Sequence, residues 1–172
     1  MVFIDEMGVR TDEARRYGRS AKGERAFGKR PGKRGKNTTI IGMMTMRGVE
    51  DWMSFDGGVG LLEFEVFIEH CLAPRLLPGD LVIMDNLKAH RNKLLIAKIE
   101  KTGAFVVHLP TYSPELNPIE LVWAKVKSIV RKERPRNRDE IEAVVLRALD
   151  SILPPECRAY YRHCGYANQT TF

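Results

Sequence analysis

The chain has 172 residues, of which 44% are hydrophobic, and a formal net charge of +6 at pH 7. One domain of this length buries a sizeable core. No apolar run approaches the roughly 18 residues that cross a bilayer, and the 3 irregularly spaced cysteines do not suit a disulfide framework. These features exclude membrane-spanning and disulfide-stapled classes. They predict a cytoplasmic protein with a single domain over residues 1–172 and no membrane partner.

The first third of the chain predicts strands, turns and one long loop. Residues 2–4 are a short apolar run, and Gly8 after it predicts a turn. Residues 38–46 and 51–55 are rich in apolar and β-branched side chains, which predicts the second and third strands. Between the first two strands, about residues 11–37, the chain is polar, basic and glycine-containing, which predicts a loop. We expect the three strands to pair antiparallel.

From residue 61 onward, helices and strands alternate. Apolar side chains at spacings of three and four predict helices. The predicted helices cover residues 61–72, 91–101, 118–131, 138–153 and 156–163. Short apolar runs at 81–84 and 104–109 predict a fourth and fifth strand, which run parallel because a helix connects them. The sequence therefore predicts an α/β fold with a mixed five-stranded sheet, strands 1–3 antiparallel and strands 4–5 parallel, and helices on both faces.

Three acidic residues stand at the ends of these structural signals. Asp5 follows the first apolar run, Asp85 follows the fourth strand, and Glu120 lies at the start of a helix. Carboxylates brought together repel unless they share protons or bind a cation, and hard oxygen ligands suit Mg²⁺ or Mn²⁺. Two such ions about 3.5–4 Å apart can hold both oxygens of an in-line displacement at phosphorus. The trio therefore predicts a metal-dependent enzyme that acts on a phosphate polymer.

Each of these acids also has a purely structural interpretation. Glu6 competes with its neighbour Asp5 for the same role, and Asp85 lies in a sequence that commonly forms a strand-ending turn. Asn117 is a good N-cap, so Glu120 at the third helical position would close a capping box. The capping and metal-binding roles of Glu120 exclude each other only if the helix start faces away from the other two acids.

Two polar residues follow the second acid. His90 lies five residues after Asp85, and Asn86 follows it directly. One hypothesis places both side chains against a metal-binding carboxylate or against the scissile phosphate. The other makes His90 a helix-start residue with a local hydrogen bond.

The loop carries an uneven share of the positive charge. Ten basic residues and one acid, Glu24, lie between Arg15 and Lys36. The basic residues are Arg15, Arg16, Arg19, Lys22, Arg25, Lys29, Arg30, Lys33, Arg34 and Lys36. Such a segment is either a solvated loop or a site that binds a polyanion by releasing its counterions. Beside a set of carboxylates, it favours nucleic acid as the partner.

Three blocks of this sequence resemble those of DDE transposases, above all bacterial insertion sequences of the mariner superfamily. The blocks are Phe3-Ile4-Asp5-Glu6, Met84-Asp85-Asn86 with His90, and Tyr-Ser-Pro-Glu-Leu-Asn-Pro-Ile-Glu at residues 112–120. Between Asp85 and Glu120 lie 34 residues, the spacing of that branch. The resemblance extends over nearly the whole chain.

The resemblance implies an RNase H-like fold with Asp5, Asp85 and Glu120 as catalytic ligands of two Mg²⁺ (or Mn²⁺) ions. It implies cleavage of DNA at transposon ends and strand transfer into target DNA, typically at a TA dinucleotide. A homodimer on DNA is expected because two ends must be joined, and the location is the bacterial cytoplasm at the nucleoid. Members usually carry an N-terminal helix-turn-helix region, and we expect that upstream DNA-binding domain to be absent here.

Two other functions remain open from the sequence. One is a different RNase H-like nuclease, such as a resolvase or ribonuclease. The other is a non-catalytic DNA-binding relic of a transposase. Strand transfer distinguishes the transposase from the first alternative, and divalent-ion binding near Asp5 and Asp85 distinguishes it from the second.

Overall fold

The computed structural model describes residues 1–15, 17–29, 31–33 and 35–166, which form five strands and five α-helices. The strands are β1 Val2–Arg10, β2 Asn37–Thr45, β3 Gly48–Asp56, β4 Leu81–Met84 and β5 Phe105–His108. The helices are α1 Leu61–Phe67, α2 Lys93–Glu100, α3 Pro118–Glu133, α4 Arg138–Asp150 and α5 Pro154–His163. No helix in these ranges combines the length and the apolar character that crossing a bilayer requires.

The strands form one mixed sheet in the order β3-β2-β1-β4-β5. β1, β2 and β3 pair antiparallel, while β4 runs parallel to both β1 and β5. The predicted α/β fold with a mixed sheet is therefore confirmed. Val2 is level with Val82 in the parallel pair. Asp5 lies three residues after Val2, and Asp85 lies three residues after Val82. The two acids therefore come to the same level, just beyond the end of β4.

Helices cover both faces of the sheet, and β1 contributes to both cores. Phe3 and Met7 pack with α3, α4 and α5 on one face, whereas Ile4 packs with α1 and α2 on the other. Side chains alternate between faces along a strand. The neighbours Asp5 and Glu6 therefore point to opposite sides of the sheet.

Helix α3 packs directly on β2 at Gly42. A Cβ atom at this position would lie 2.7 Å from Cη2 of Trp123, closer than carbon atoms pack, so the helix requires a glycine beneath it. Trp123 is 1% exposed, and the other apolar residues of the predicted α3 stripe pack around it. This packing fixes the helix that carries Glu120 in its first turn.

Strand β1 is longer than the sequence predicts. The predicted turn at Gly8 is wrong, because the strand continues to Arg10 with Gly8 paired to Thr39 of β2. The flanking residues Met7 and Val9 are both buried on the face that α3 covers. Their alternation continues the strand through the glycine.

The helix predicted over residues 61–72 is α-helical only as far as Phe67. Ile68–Leu72 form a π-helical turn and Ala73–Arg75 a 3₁₀ turn. Pro74 has no N–H and crowds the carbonyl four residues earlier, which explains why regular hydrogen bonding stops before it. The other helices and strands from residue 37 onward begin and end within three residues of their predicted bounds.

Candidate active site

The three predicted acidic residues line one cleft of about 310 Å³. Asp5 lies within β1, Asp85 directly after β4, and Glu120 in the first turn of α3. The connection between β5 and α3 forms the remaining wall. The fold therefore brings together three carboxylates that come from separate parts of the sequence.

Asp5 is the most deeply buried of the three carboxylates. Asp5 is 6% exposed, and its Oδ2 atom has no hydrogen-bond partner among the described residues. Burial, followed by the charge of Glu120, raises the pKa of Asp5 to about 8. Without a cation, the Asp5 carboxyl therefore holds a proton at neutral pH.

His90 joins two carboxylates across the sheet. Its Nδ1 lies 2.6 Å from Oδ1 of Asp85, and its Nε2 lies 2.9 Å from Oε1 of Glu6. Burial alone would lower the pKa of His90, but these two hydrogen bonds raise it to about 9. Ionised carboxylates only accept, so an imidazolium that donates from both nitrogens fits this arrangement. The His90 side chain is 0% exposed, so it lies behind Asp85 rather than facing a phosphate.

Asp85 is ionised at neutral pH, in contrast to Asp5. Burial raises its pKa, but the hydrogen bonds from His90 and from the backbone N–H of Leu87 outweigh it and leave the pKa below the usual value. The environments of Asp5 and Asp85 thus move their pKa values in opposite directions. Such a separation is typical of carboxylates at functional sites.

The structure shows where two of the acids lie. Glu6 contacts His90 on the opposite face of the sheet and does not line the cleft, whereas Asp5 of the same strand does. The capping box around Glu120 is wrong, because the Asn117 side chain accepts no hydrogen bond from the first turn of α3. Glu120 instead lies partly exposed at the cleft.

Further polar residues line the same cleft, among them Asn86, Tyr112 and Asn117. Asn86 donates from Nδ2 to the carbonyl oxygen of Leu109 at 2.7 Å, which ties the end of β4 to the end of β5. Tyr112 has a positive φ of 60° and is 96% exposed at the rim. The sequence pattern assigns Asn117 to helix capping and assigns no role to Tyr112, although both lie in the Tyr-Ser-Pro block.

The donor set of the cleft fits a hard divalent cation. Its charged groups are carboxylates, and the partnerless Oδ2 of buried Asp5 is an oxygen that a cation would satisfy. Over the described ranges, no three His, Cys, Asp or Glu side chains are already arranged closely enough to hold an ion. A cation would therefore draw the carboxylates together from their present orientations.

The basic loop leads away from this cleft and is fixed at its base. Arg10 donates to both carboxylate oxygens of Asp12, and Arg131 of α3 donates to Glu13 at 3.0 Å. Seven of the ten predicted DNA-binding residues are described, and all seven are exposed or partly exposed. They are Arg15, Arg19, Lys22, Arg25, Lys29, Lys33 and Lys36. Arg16, Arg30 and Arg34 lie outside the described residues.

Together, the sheet order, the two helical layers and the position of the carboxylates define an RNase H-like domain. Residues 1–142 match the family model described as DDE superfamily endonuclease, so the chain belongs to that family. The match contains all three carboxylates of the cleft. No match was found among curated protein sequences.

Solved structures of the transposase Mos1 share this fold. The chain matches a Mos1 transposase paired-end complex with left transposon end at a TM-score of 0.75 and 18% identity. It matches a pre-cleavage Mos1 transpososome at 0.74 and 16%, and a Mos1 mariner paired-end complex with Mn at 0.71 and 15%. In each of these comparisons the match covers 95% of this chain and 51% of the Mos1 chain. At this identity, the likeness establishes the fold.

Proposed function

We propose that this chain is the catalytic domain of a mariner-type DDE transposase, which cleaves DNA at transposon ends and transfers the freed strands into target DNA. The observation that carries the proposal is that Asp5, Asp85 and Glu120 line one cleft in a DDE superfamily endonuclease. The fold shared with Mos1 complexes that contain transposon ends or Mn supports it.

In this proposal the three carboxylates hold two Mg²⁺ or Mn²⁺ ions. Ions bound there would activate the attacking water or 3′-hydroxyl and stabilise the departing oxygen. Asp5 would lose its proton on binding a cation, because a cation favours the ionised carboxylate. Asp85 is held from behind by His90, and Asn86 keeps the neighbouring wall of the cleft in place. No side-chain nucleophile is required.

The path of the DNA follows from the directions of β1 and α3. Five residues of strand separate Asp5 from Arg10, about 17 Å, and eleven residues of helix separate Glu120 from Arg131, about 16 Å. Both elements end at the base of the basic loop, where Arg131 contacts Glu13. The phosphates of one strand of a duplex are spaced about 3.4 Å along the helix axis. A duplex that is cleaved in the cleft and runs along β1 and α3 would therefore reach the loop after about five base pairs.

The partners in this proposal are transposon ends and target DNA, with a TA dinucleotide as the target. Joining two ends requires two active sites, so we propose that the protein acts as a homodimer on DNA. The likeness to a Mos1 paired-end complex supports this arrangement.

The function is tested by incubating the full-length protein with labelled transposon-end DNA and Mn²⁺ or Mg²⁺. We expect metal-dependent nicking at the element end and joining of the freed 3′ end to a second duplex. Cleavage of the RNA strand in an RNA–DNA hybrid without strand transfer would indicate the alternative nuclease. Binding of DNA without cleavage in either ion would indicate a non-catalytic relic.

Neutralising the basic loop is expected to weaken DNA binding for every sequence tested. A variant with Arg19, Lys22, Arg25 and Lys29 changed to glutamine has four fewer cations with which to neutralise phosphates. The slope of log K against log salt should then become shallower by about 0.9 for each phosphate that is no longer neutralised. The measurement is a salt series of binding isotherms with a duplex that lacks the element end.

The control for this variant removes the same amount of positive charge from residues outside the basic loop. Four exposed basic residues are changed to glutamine there: Lys93, Lys101, Arg158 and Arg162. If the loop binds phosphates, this control keeps the wild-type slope. An equal reduction of the slope in both variants would mean that only the net charge of the protein matters.

A further inference from the structure

Asn117 occupies the N-cap position of α3 but does not cap the helix. Among the described residues, two other helices begin with an asparagine N-cap, and both of these side chains accept hydrogen bonds from the first turn. Oδ1 of Asn92 accepts from Leu94 at 2.9 Å, and Oδ1 of Asn137 accepts from Glu140 at 2.9 Å. Asn117 makes no such bond. Its side chain is therefore available for another role.

The backbone at the start of α3 contributes to the difference. The N–H of Glu120, at the third helical position, donates to the backbone carbonyl of Asn117 at 3.1 Å, so one of the two donors that a capping side chain can use is already bound. Asn117 is 3% exposed, and its Oδ1 has no hydrogen-bond partner in the described part of the chain.

A buried acceptor without a partner destabilises a fold unless a ligand or a water satisfies it. Asn117 lines the cleft together with Asp5, whose Oδ2 is the other partnerless buried oxygen there. Oδ1 of Asn117 only accepts, as does the Asp5 carboxylate once it is ionised, and phosphate oxygens are acceptors as well. The pair therefore suits a cation or a cation-bound water rather than the DNA backbone.

We propose that Oδ1 of Asn117 accepts a hydrogen bond from a water bound to one of the divalent ions that Asp5, Asp85 and Glu120 hold. The inference rests on the proposed function and adds a positioning residue to it. Mg²⁺ in proteins keeps several of its waters, and Oδ1 accepts a hydrogen bond from one of them. This contact orients that water in the cleft and strengthens the binding of the ion.

The test measures Mn²⁺ binding to the full-length protein by calorimetry, together with the melting temperature of the metal-free protein. We expect Asn117→Ala to lower the Mn²⁺ affinity about tenfold, the effect typical of groups that support metal ligands. Its melting temperature should not fall below the wild-type value, because the substitution breaks no capping bond and removes a buried acceptor without a partner. Asn117→Asp keeps an oxygen and adds a charge, so it should bind Mn²⁺ at least as tightly as the wild type.

Asn137→Ala is the matched control, since it removes an N-cap that does form its bond. It should lower the melting temperature by about 2–4 °C, the effect of removing a cap in a domain of this size, and leave the Mn²⁺ affinity unchanged. Wild-type affinity in Asn117→Ala would overturn the inference. So would a drop in melting temperature in that variant equal to that of Asn137→Ala, with unchanged affinity.

Failure of the inference differs from failure of the proposed function. If Asp85→Asn binds Mn²⁺ weakly while Asn117→Ala binds it as the wild type does, only the role of Asn117 is wrong. If Asp85→Asn also binds Mn²⁺ with wild-type affinity, both the proposed carboxylate metal site and the role of Asn117 are wrong.

Discussion

Replacing Asp85 by asparagine is expected to lower the rate of metal-dependent end cleavage by about 10³-fold or more. The asparagine keeps the shape of the side chain and can still accept from the N–H of Leu87, but it is not an anionic ligand. Metal ions contribute several kcal/mol of transition-state stabilisation, and about 4 kcal/mol corresponds to about 10³ in rate. Asp85 is suited to this role because its carboxylate is ionised at neutral pH and partly exposed to the cleft.

The measurement is single-turnover cleavage of transposon-end DNA in Mn²⁺, accompanied by thermal unfolding of each variant. Asp150→Asn is the control, since it makes the same chemical change at an exposed position at the end of α4. It should cleave as the wild type does. If Asp85→Asn is folded and cleaves within about threefold of the wild-type rate, a difference of less than about 1 kcal/mol, Asp85 is not a metal ligand in this reaction.

Local patterns predict most of the fold because most elements follow their own periodicity. The apolar stripe of α3 and the short buried strand β4 are both visible without tertiary information, and both lie where the sequence predicts them. β1 differs, because its second half is stabilised by a partner strand that begins 27 residues after β1 ends. The pairing of Gly8 with Thr39 is a long-range interaction, so the glycine alone predicted a turn.

The irregular end of α1 has a different cause. The spacing of apolar residues continues smoothly from Phe67 to Leu72, and both are buried in the same core. Periodicity therefore predicts one continuous helix. The change to a π-helical turn depends on backbone hydrogen bonds near Pro74, which the positions of the apolar side chains do not report.

The three acidic residues that line the cleft could be predicted from the sequence, but their contacts and the presence of Tyr112 and Asn117 beside them could not. Asp85 could be identified because it follows a strand, and Glu120 because it lies at a helix start. The alternation of side chains along β1 shows which of Asp5 and Glu6 faces the cleft only once the faces of the sheet are known. Oε1 of Glu6 contacts His90, 84 positions further along the chain, and no local pattern encodes that bond.

The metal-free protein is expected to become less stable as the pH rises from 6 to 8. Asp5 and His90 both have a higher pKa in the folded chain, raised from 3.8 to about 8 and from 6.5 to about 9. The folded state therefore binds more protons than the unfolded state, and stability falls as the pH rises through this window. Each group that keeps its proton only when folded contributes up to about 1.4 kcal/mol per pH unit. The free energy of unfolding should thus drop by about 2–4 kcal/mol over these two units.

Urea denaturation in a chelator at pH 6, 7 and 8 measures this change. Asp5→Asn removes the larger contribution, because the pKa of Asp5 is shifted further and its proton is held by the folded state across most of the window. The remaining slope should be that of His90 alone, and it should appear mainly above pH 6.5. Mn²⁺ displaces the Asp5 proton, so the ion should stabilise the wild type more at pH 8 than at pH 6. An equal pH slope in the wild type and in Asp5→Asn would mean that Asp5 ionises as freely in the cleft as in the unfolded chain.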